Sequence, residues 1–136
     1  TGKSFCRNAV WRFEYFKHAN ENTLVMAQFE EIQALDQLDS ILSVDGVDAI
    51  ILGPGDLAQS MGWPSGEKLD QVIDTVIEKT VAAGKWVSDP GIKLGQDSRA
   101  SKYMKKGSKI WFLTPQEVLR QGFTNYKLWL DKQDVK

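Results

Sequence analysis

The chain has 136 residues, 17 Lys+Arg against 18 Asp+Glu, a formal net charge of −1, 42% hydrophobic residues and a single cysteine. This length suits one compact domain with one core, taken here as residues 1–136. The near-neutral charge and globular apolar fraction argue against a disordered tail and against a nucleic-acid partner held by a basic surface. Cys6 stands alone, which rules out an intramolecular disulfide and zinc-finger spacing. No apolar run approaches the ~18 residues that cross a bilayer, and the opening TGKSFCRNAV has no continuous apolar signal core. The expectation is a soluble, cytoplasmic protein with no membrane partner.

Along the chain, short apolar runs alternate with segments of helical period, the pattern of repeated β-α units on a parallel sheet. Residues 8–20 read as an opening helix carrying Val10, Trp11, Phe13, Tyr15 and Phe16, ended by Asn20-Glu21-Asn22. Residues 23–29 (TLVMAQF) read as the first strand, and residues 33–44 as a helix with Leu35, Leu38 and Leu42 on one face. After Asp45-Gly46, residues 47–52 (VDAIIL) form a second strand, apolar enough to be covered on both faces. GPGDLAQSMGWPSG reads as a long turn. The spacing of Leu69, Val72, Ile73, Val76, Ile77 and Val81 then predicts a helix over 67–83, ended by Gly84.

Residues 85–88 read as a short third strand, Asp89-Pro90-Gly91 as a loop, and 96–106 as a helix stopped by Gly107. Residues 109–113 (KIWFL) read as a fourth strand. Thr114-Pro115 reads as an N-cap followed by proline at the first helical position, opening a terminal helix with Val118, Leu119, Phe123, Tyr126, Leu128 and Trp129. Four such units amount to about half of an eight-unit barrel of ~250 residues. An open four-stranded doubly wound sheet has the same periodicity and competes with it.

In parallel β-α folds ligands bind where strands give way to loops at their carboxyl ends. Two carboxylates stand at such places. The strand period of two puts Gln28 and Glu30 on one face with Phe29 on the other, and Gly53-Pro54-Gly55-Asp56 ends the next strand. Adjacent parallel strands lie ~4.8 Å apart, so Glu30 and Asp56 can reach a common ion. Two carboxylates without His or Cys suit a hard or borderline divalent cation such as Mg²⁺ or Mn²⁺, with zinc less natural. The glycines of GPGD leave backbone N–H groups uncovered for an anionic substrate, and Gln28 adds a neutral amide, so an oxo-acid is the ligand class. The bland alternative makes Glu30 and Asp56 ordinary N-cap or first-turn helix acids.

The stretches ANENTLVMAQFEE and LDSILSVDGVDAIILGPGDLAQSMGWP resemble the HpcH/HpaI aldolase family, metal-dependent class II aldolases acting on 2-oxo acids. The motifs Q-x-E and G-P-x-D-L, joined by V-x-G-V-D, carry the resemblance from about Asn20 to Gly84 and more weakly beyond. The resemblance implies an α/β fold, a (β/α)8 TIM barrel of which this chain is the C-terminal portion of about four units, and hexamers in full-length members. It implies that Glu30 and Asp56 hold the metal, Mg²⁺ first and Mn²⁺ or Co²⁺ as alternatives. It also implies that Gln28, Gly55 and Asp56 contact substrate. The implied reaction cleaves or forms a 4-hydroxy-2-oxo acid through a pyruvate enolate, so the partners are a small 2-oxo acid and an aldehyde, within a homo-oligomer.

The resemblance implies that the base histidine and transition-state arginine belong to the N-terminal half, so this chain alone is expected to lack the proton-transfer groups and, through the open edges of strands one and four, to self-associate, aggregate or pair with another half. Departures from the usual motifs are Phe29, Glu31 and Ala58; Glu31 adds a negative charge beside the site. Two alternatives stand beside the aldolase: a related enolate enzyme (a citramalyl- or malyl-thioester lyase, or an oxaloacetate decarboxylase) and a non-catalytic piece.

Other features have simpler readings. His18 precedes Q-x-E and reads as a surface or structural histidine. Trp63 follows the GPGD loop and could line the site, whereas Trp11, Trp86, Trp111 and Trp129 read as packing residues. Asp89 reads as a turn former, with substrate contact the lesser option. Lys102, Lys105 and Lys106 sit at a helix C-terminus, where the dipole accounts for them. Gly2-Lys3-Ser4 lacks the upstream glycine of a phosphate loop, and no Ser-His-Asp or Cys-His constellation is present.

Overall fold

A computed structural model describes residues 12–133; the sequence expectations that involve Gly2-Lys3-Ser4, Cys6, Val10 and Trp11 lie outside the described residues. Residues 12–18 are helical (α1) and lead through a 3-10 turn at Asn20–Asn22 into β1 (Met26–Phe29). A 3-10 segment, Ile32–Gln37, precedes α2 (Leu38–Leu42), and then come β2 (Ala49–Leu52), α3 (Pro54–Ser60) and α4 (Gly66–Ala82). The chain continues through β3 (Trp86–Val87), α5 (Asp97–Lys106) and α6 (Pro115–Leu130).

The strands form a parallel sheet in the order β1-β2-β3, with Met26 opposite Ala49, Phe29 opposite Leu52 and Ile50 opposite Val87. The expected fourth strand reduces to one parallel bridge, Ser88 with Ile110. Residues 109–113 have strand-forming side chains, but the strand beside them, β3, is only two residues long, so the ladder stops at one bridge. Helix 33–44 likewise divides into a 3-10 and an α half, and the expected turn after β2 contains α3. In α3, Gly53 is the N-cap and Pro54 takes the first helical position, where a missing N–H costs nothing.

The core lies on one face of the sheet. Phe29, Ile50, Leu52 and Val87 share that face and form one cluster with Leu38 and Leu42 of α2, Leu57 of α3, Ile73, Val76 and Ile77 of α4, and Tyr103 of α5. The opposite face carries Met26 and Trp86 on either side of Ala49, 40% and 49% exposed respectively. Trp86, Trp111 and Trp129 were expected to pack; all three are exposed, because Trp86 stands on the sheet face opposite the helical core, Trp111 follows the isolated bridge, and α6 buries no residue. β2 is buried on the core face at Ile50 and Leu52 and, on the other face, fully at Ala49 and partly at Ile51. No helix among the described residues is long and apolar enough to cross a membrane.

Helix α4 organises the packing. Ser65 caps it by accepting the Lys68 N–H, and Gly84 turns away with φ +73, a left-handed value that glycine adopts without steric cost. Thr114 takes the N-cap position of α6 as expected, but its side chain makes no capping hydrogen bond. Gly107 ends α5 at φ +103, and a Cβ there would stand 2.9 Å from Val81 Cγ2, so glycine is required for both conformation and space.

Charges fix α5 along α4: Arg99 pairs with Asp70, Lys102 with Asp74, and Lys106 with both Asp74 and Glu78. These pairs give Lys102 and Lys106 specific partners beyond the helix dipole. The Glu78 carboxylate, hydrogen-bonded at 2.5 Å, holds the Lys106 ammonium above its ordinary value of 10.5, outweighing the opposing effect of burial. A raised lysine value means that the stabilisation is complete below pH 10.5 and is lost as pH rises through the folded-state value. Replacing Lys106→Met should therefore lower stability by about 0.2–1 kcal/mol at pH 8. Thermal melts should show this difference from the wild type shrinking above pH 10.5.

Candidate functional site

At the carboxyl ends of β1 and β2 the structure brings Gln28 and Glu30 together with Gly53, the residue that opens the helix carrying Asp56. Phe29 is 3% exposed on the core face, so the strand period turns Gln28 and Glu30 to the other side. There the Gln28 Nε2 amide donates to Glu30 Oε2 at 2.5 Å. The ladder runs one step past the strand ends, with Gly53 N–H donating to Phe29 C=O at 2.9 Å, and this sets Gly53 beside Glu30. A Cβ on Gly53 would lie 2.9 Å from Glu30 Cβ and 3.2 Å from Gln28 Nε2; only glycine allows that approach.

Asp56 sits in the first turn of α3, exposed, three residues past Gly53. Gly55 stands between them, and a Cβ there would meet nothing within 4 Å, so open space lies beside its backbone. The two glycines of the motif thus differ: Gly53 is required by its neighbours, Gly55 is bare. Neither Glu30 nor Asp56 forms an ion pair with a described cation, and the Asp56 carboxylate has no hydrogen-bond partner among the described residues. Two uncompensated oxygen acids on neighbouring strand ends are a donor set that a hard divalent cation fits. Among the described residues no group of three or more His, Cys, Asp or Glu side chains could hold a metal, so an ion here would keep most of its positions for water or substrate.

Several supports were not legible in the sequence. Ser88 Oγ accepts the Leu52 N–H at 2.9 Å and fixes the end of β2 immediately before Gly53. Ser60 Oγ accepts the Ile32 N–H at 2.9 Å, linking the segment after Glu30 to α3. Beyond β3 and the Ile110 bridge opens an apolar cleft of about 430 Å³, walled by Ile92, Leu94, Trp111, Phe112 and Leu113. It adjoins the site through Gly91, where a Cβ would lie 3.5 Å from Pro54 Cγ.

Of the remaining candidates, Asp89 has a structural role, while His18 and Trp63 are exposed. Asp89 is 1% exposed, and both its oxygens are used by backbone: Oδ2 accepts Ile92 N–H at 2.6 Å and Oδ1 accepts Phe112 N–H at 3.2 Å. It is a pin between two loops. His18 is exposed, with Nδ1 2.9 Å from Glu21 Oε2, consistent with a surface histidine. Trp63 has φ +58 just past α3, donates its N–H to Ala58 C=O, and leaves its ring 72% exposed.

The structure is thus an α/β fold whose parallel sheet carries two acidic side chains, Glu30 and Asp56, just past the ends of adjacent strands. The sequence profile described as HpcH/HpaI aldolase/citrate lyase matches residues 4–113, and the chain belongs to that family. It is 33% identical over 112 residues to a 4-hydroxy-2-oxo-heptane-1,7-dioate aldolase of Salmonella paratyphi B, covering 79% of this chain and 41% of that protein. It is 39% identical over 89 residues to a 2-keto-3-deoxy-L-rhamnonate aldolase of Escherichia coli, covering 62% and 33% respectively. An HpcH/HpaI aldolase structure from Desulfitobacterium hafniense superposes with a TM-score of 0.70 at 20% identity, covering 90% of this chain and 48% of that one. A Burkholderia cenocepacia family member reaches a TM-score of 0.72 at 24% identity, again covering 90% and 48%. The chain thus spans well under half the length of these curated relatives and about half of these solved chains.

Replacing Asp89→Ala should leave the Ile92 and Phe112 N–H groups without partners and destabilise the chain by about 2–6 kcal/mol, at roughly 1–3 kcal/mol for each unsatisfied group. Chemical denaturation of the two proteins measures this directly.

Proposed function

We propose that this chain supplies the metal-binding half of a class II aldolase that cleaves or forms a 4-hydroxy-2-oxo acid through a pyruvate enolate. The observation that carries the reading is the close approach of Gly53, which opens the helix carrying Asp56, to Gln28 and Glu30 at the ends of two registered parallel strands. Family membership and two aldolase relatives support the reaction class. One-sided covering of the sheet supports an architecture of about four units from the C-terminal part of a barrel, since a barrel carries its helices outside only and a doubly wound sheet carries them on both faces.

In this reading Glu30 and Asp56 hold a divalent cation, Mg²⁺ first and Mn²⁺ or Co²⁺ as alternatives. The ion supplies Lewis acidity toward the oxygens of a 2-oxo acid. Gln28 orients the Glu30 carboxylate through its amide and offers a donor to substrate, and the open backbone at Gly55 leaves room for the acid's carboxylate. Proton transfer at the 4-hydroxyl belongs to a histidine and an arginine of the other barrel half, consistent with His18 being an exposed partner of Glu21. The substrates are then a small 2-oxo acid and an aldehyde, in a cytoplasmic homo-oligomer. The citrate lyase branch of the family description favours a second reading, in which the same residues serve cleavage of a carboxylate or thioester substrate.

Substituting Glu30→Gln or Asp56→Asn should weaken Mn²⁺ binding at least roughly 10-fold in a chain whose circular dichroism is unchanged. Calorimetric titration checks this, and wild-type affinity in both variants refutes the reading. With a complete barrel, product analysis on hydroxy-oxo acids against acyl thioesters separates the two reactions.

A further inference from the structure

We propose that Ser60 is a positioning residue that locks the segment carrying Glu30 to the helix carrying Asp56; the inference rests on the metal reading of those two acids. Ile32 opens a 3-10 segment whose first N–H has no partner within its own turn, and its N-cap residue Glu31 supplies no side-chain cap. The missing cap comes from another element. Ser60, the last residue of α3, accepts that N–H at 2.9 Å and donates its own proton to Leu57 C=O at 2.9 Å. The hydroxyl is therefore used in both directions, one way into α3 and the other into the segment two residues past Glu30.

Its position makes this consequential. Leu57 is fully buried and anchors α3 in the core, so the Ser60 hydroxyl is oriented by a fixed carbonyl. On the near side, Gly53 packs against Glu30 at the start of the helix. The loop after β1 is thus held at both ends of α3, by close packing at Gly53 and by a hydrogen bond at Ser60. With Ser60 removed, Ile32 N–H turns to water and the Glu30 segment gains freedom relative to Asp56. A divalent ion that needs both carboxylates feels that freedom as lost affinity.

The test titrates Mn²⁺ into the wild type, Ser60→Ala, Ser60→Thr and Ser60→Cys, following water proton relaxation, with thermal melts in parallel. Ser60→Ala should bind about 5- to 10-fold more weakly, near the low end for supports of metal ligands. Ser60→Thr keeps the hydroxyl and should stay within about twofold of wild type, while Ser60→Cys, a poorer acceptor, should fall between. Wild-type affinity in Ser60→Ala, with only a lowered melting midpoint, overturns the proposal and leaves the serine a purely structural cap. If Ser60→Ala does not fold, Ser60→Cys decides: unchanged affinity overturns the proposal and weaker affinity sustains it. A wild type that binds no Mn²⁺ overturns the metal reading itself, and this proposal with it.

Discussion

The parallel register between β1 and β2 is the constraint on which the site depends. Phe29 faces Leu52, and the hydrogen bond from Gly53 to Phe29 carries the ladder one residue further. A slip of a single residue would turn Phe29 out and drive Gln28 and Glu30 into the helix-covered side. Burying a phenylalanine stabilises a fold by about 1.5–3 kcal/mol, and burying an unpaired carboxylate is far more costly. The register is therefore held from both sides. Core packing at Phe29 aims the acid at Glu30, so part of the site's precision comes from a residue that touches nothing in it.

The third strand contributes in a different currency, through hydroxyl and carboxylate pins. β3 is two residues long, yet the chain after it is anchored by Ser88 to Leu52, by Ser108 to the Ser88 carbonyl, and by Asp89 to two loops. Buried polar groups are tolerable only when satisfied, and each of these has partners. The short strand thus reaches the loop ends by side-chain hydrogen bonds where its backbone ladder has stopped.

Much of this was readable in the sequence where the signal is local. The stripe of α4 and the glycines at 84 and 107 follow from helical period and left-handed backbone, and the shared face of Gln28 and Glu30 follows from the strand period. α3 escaped because Gly, Pro and Asp are turn formers, although proline at the first helical position and an early acid are also helix-start signals. The tryptophans depart from the expected packing because large apolar side chains are not always buried: among the described residues Trp86 stands on the sheet face opposite the helical core, and Trp111 and Trp129 lie outside the core cluster. Gly53 against Glu30 and Ser60 with Ile32 join positions far apart in the chain, and only the strand register brings them together.

Helix α6 presents a different kind of consequence. Its 16 residues bury none of their side chains, and its support is local: Glu117 with Arg120, Gln121 with Asn125, and Lys127 with Asp131. A segment of that length held by such pairs is only marginally helical in water. Its amide protons should therefore trade with deuterium long before those of α4, which the core shields, so one chain carries two separate clocks of opening.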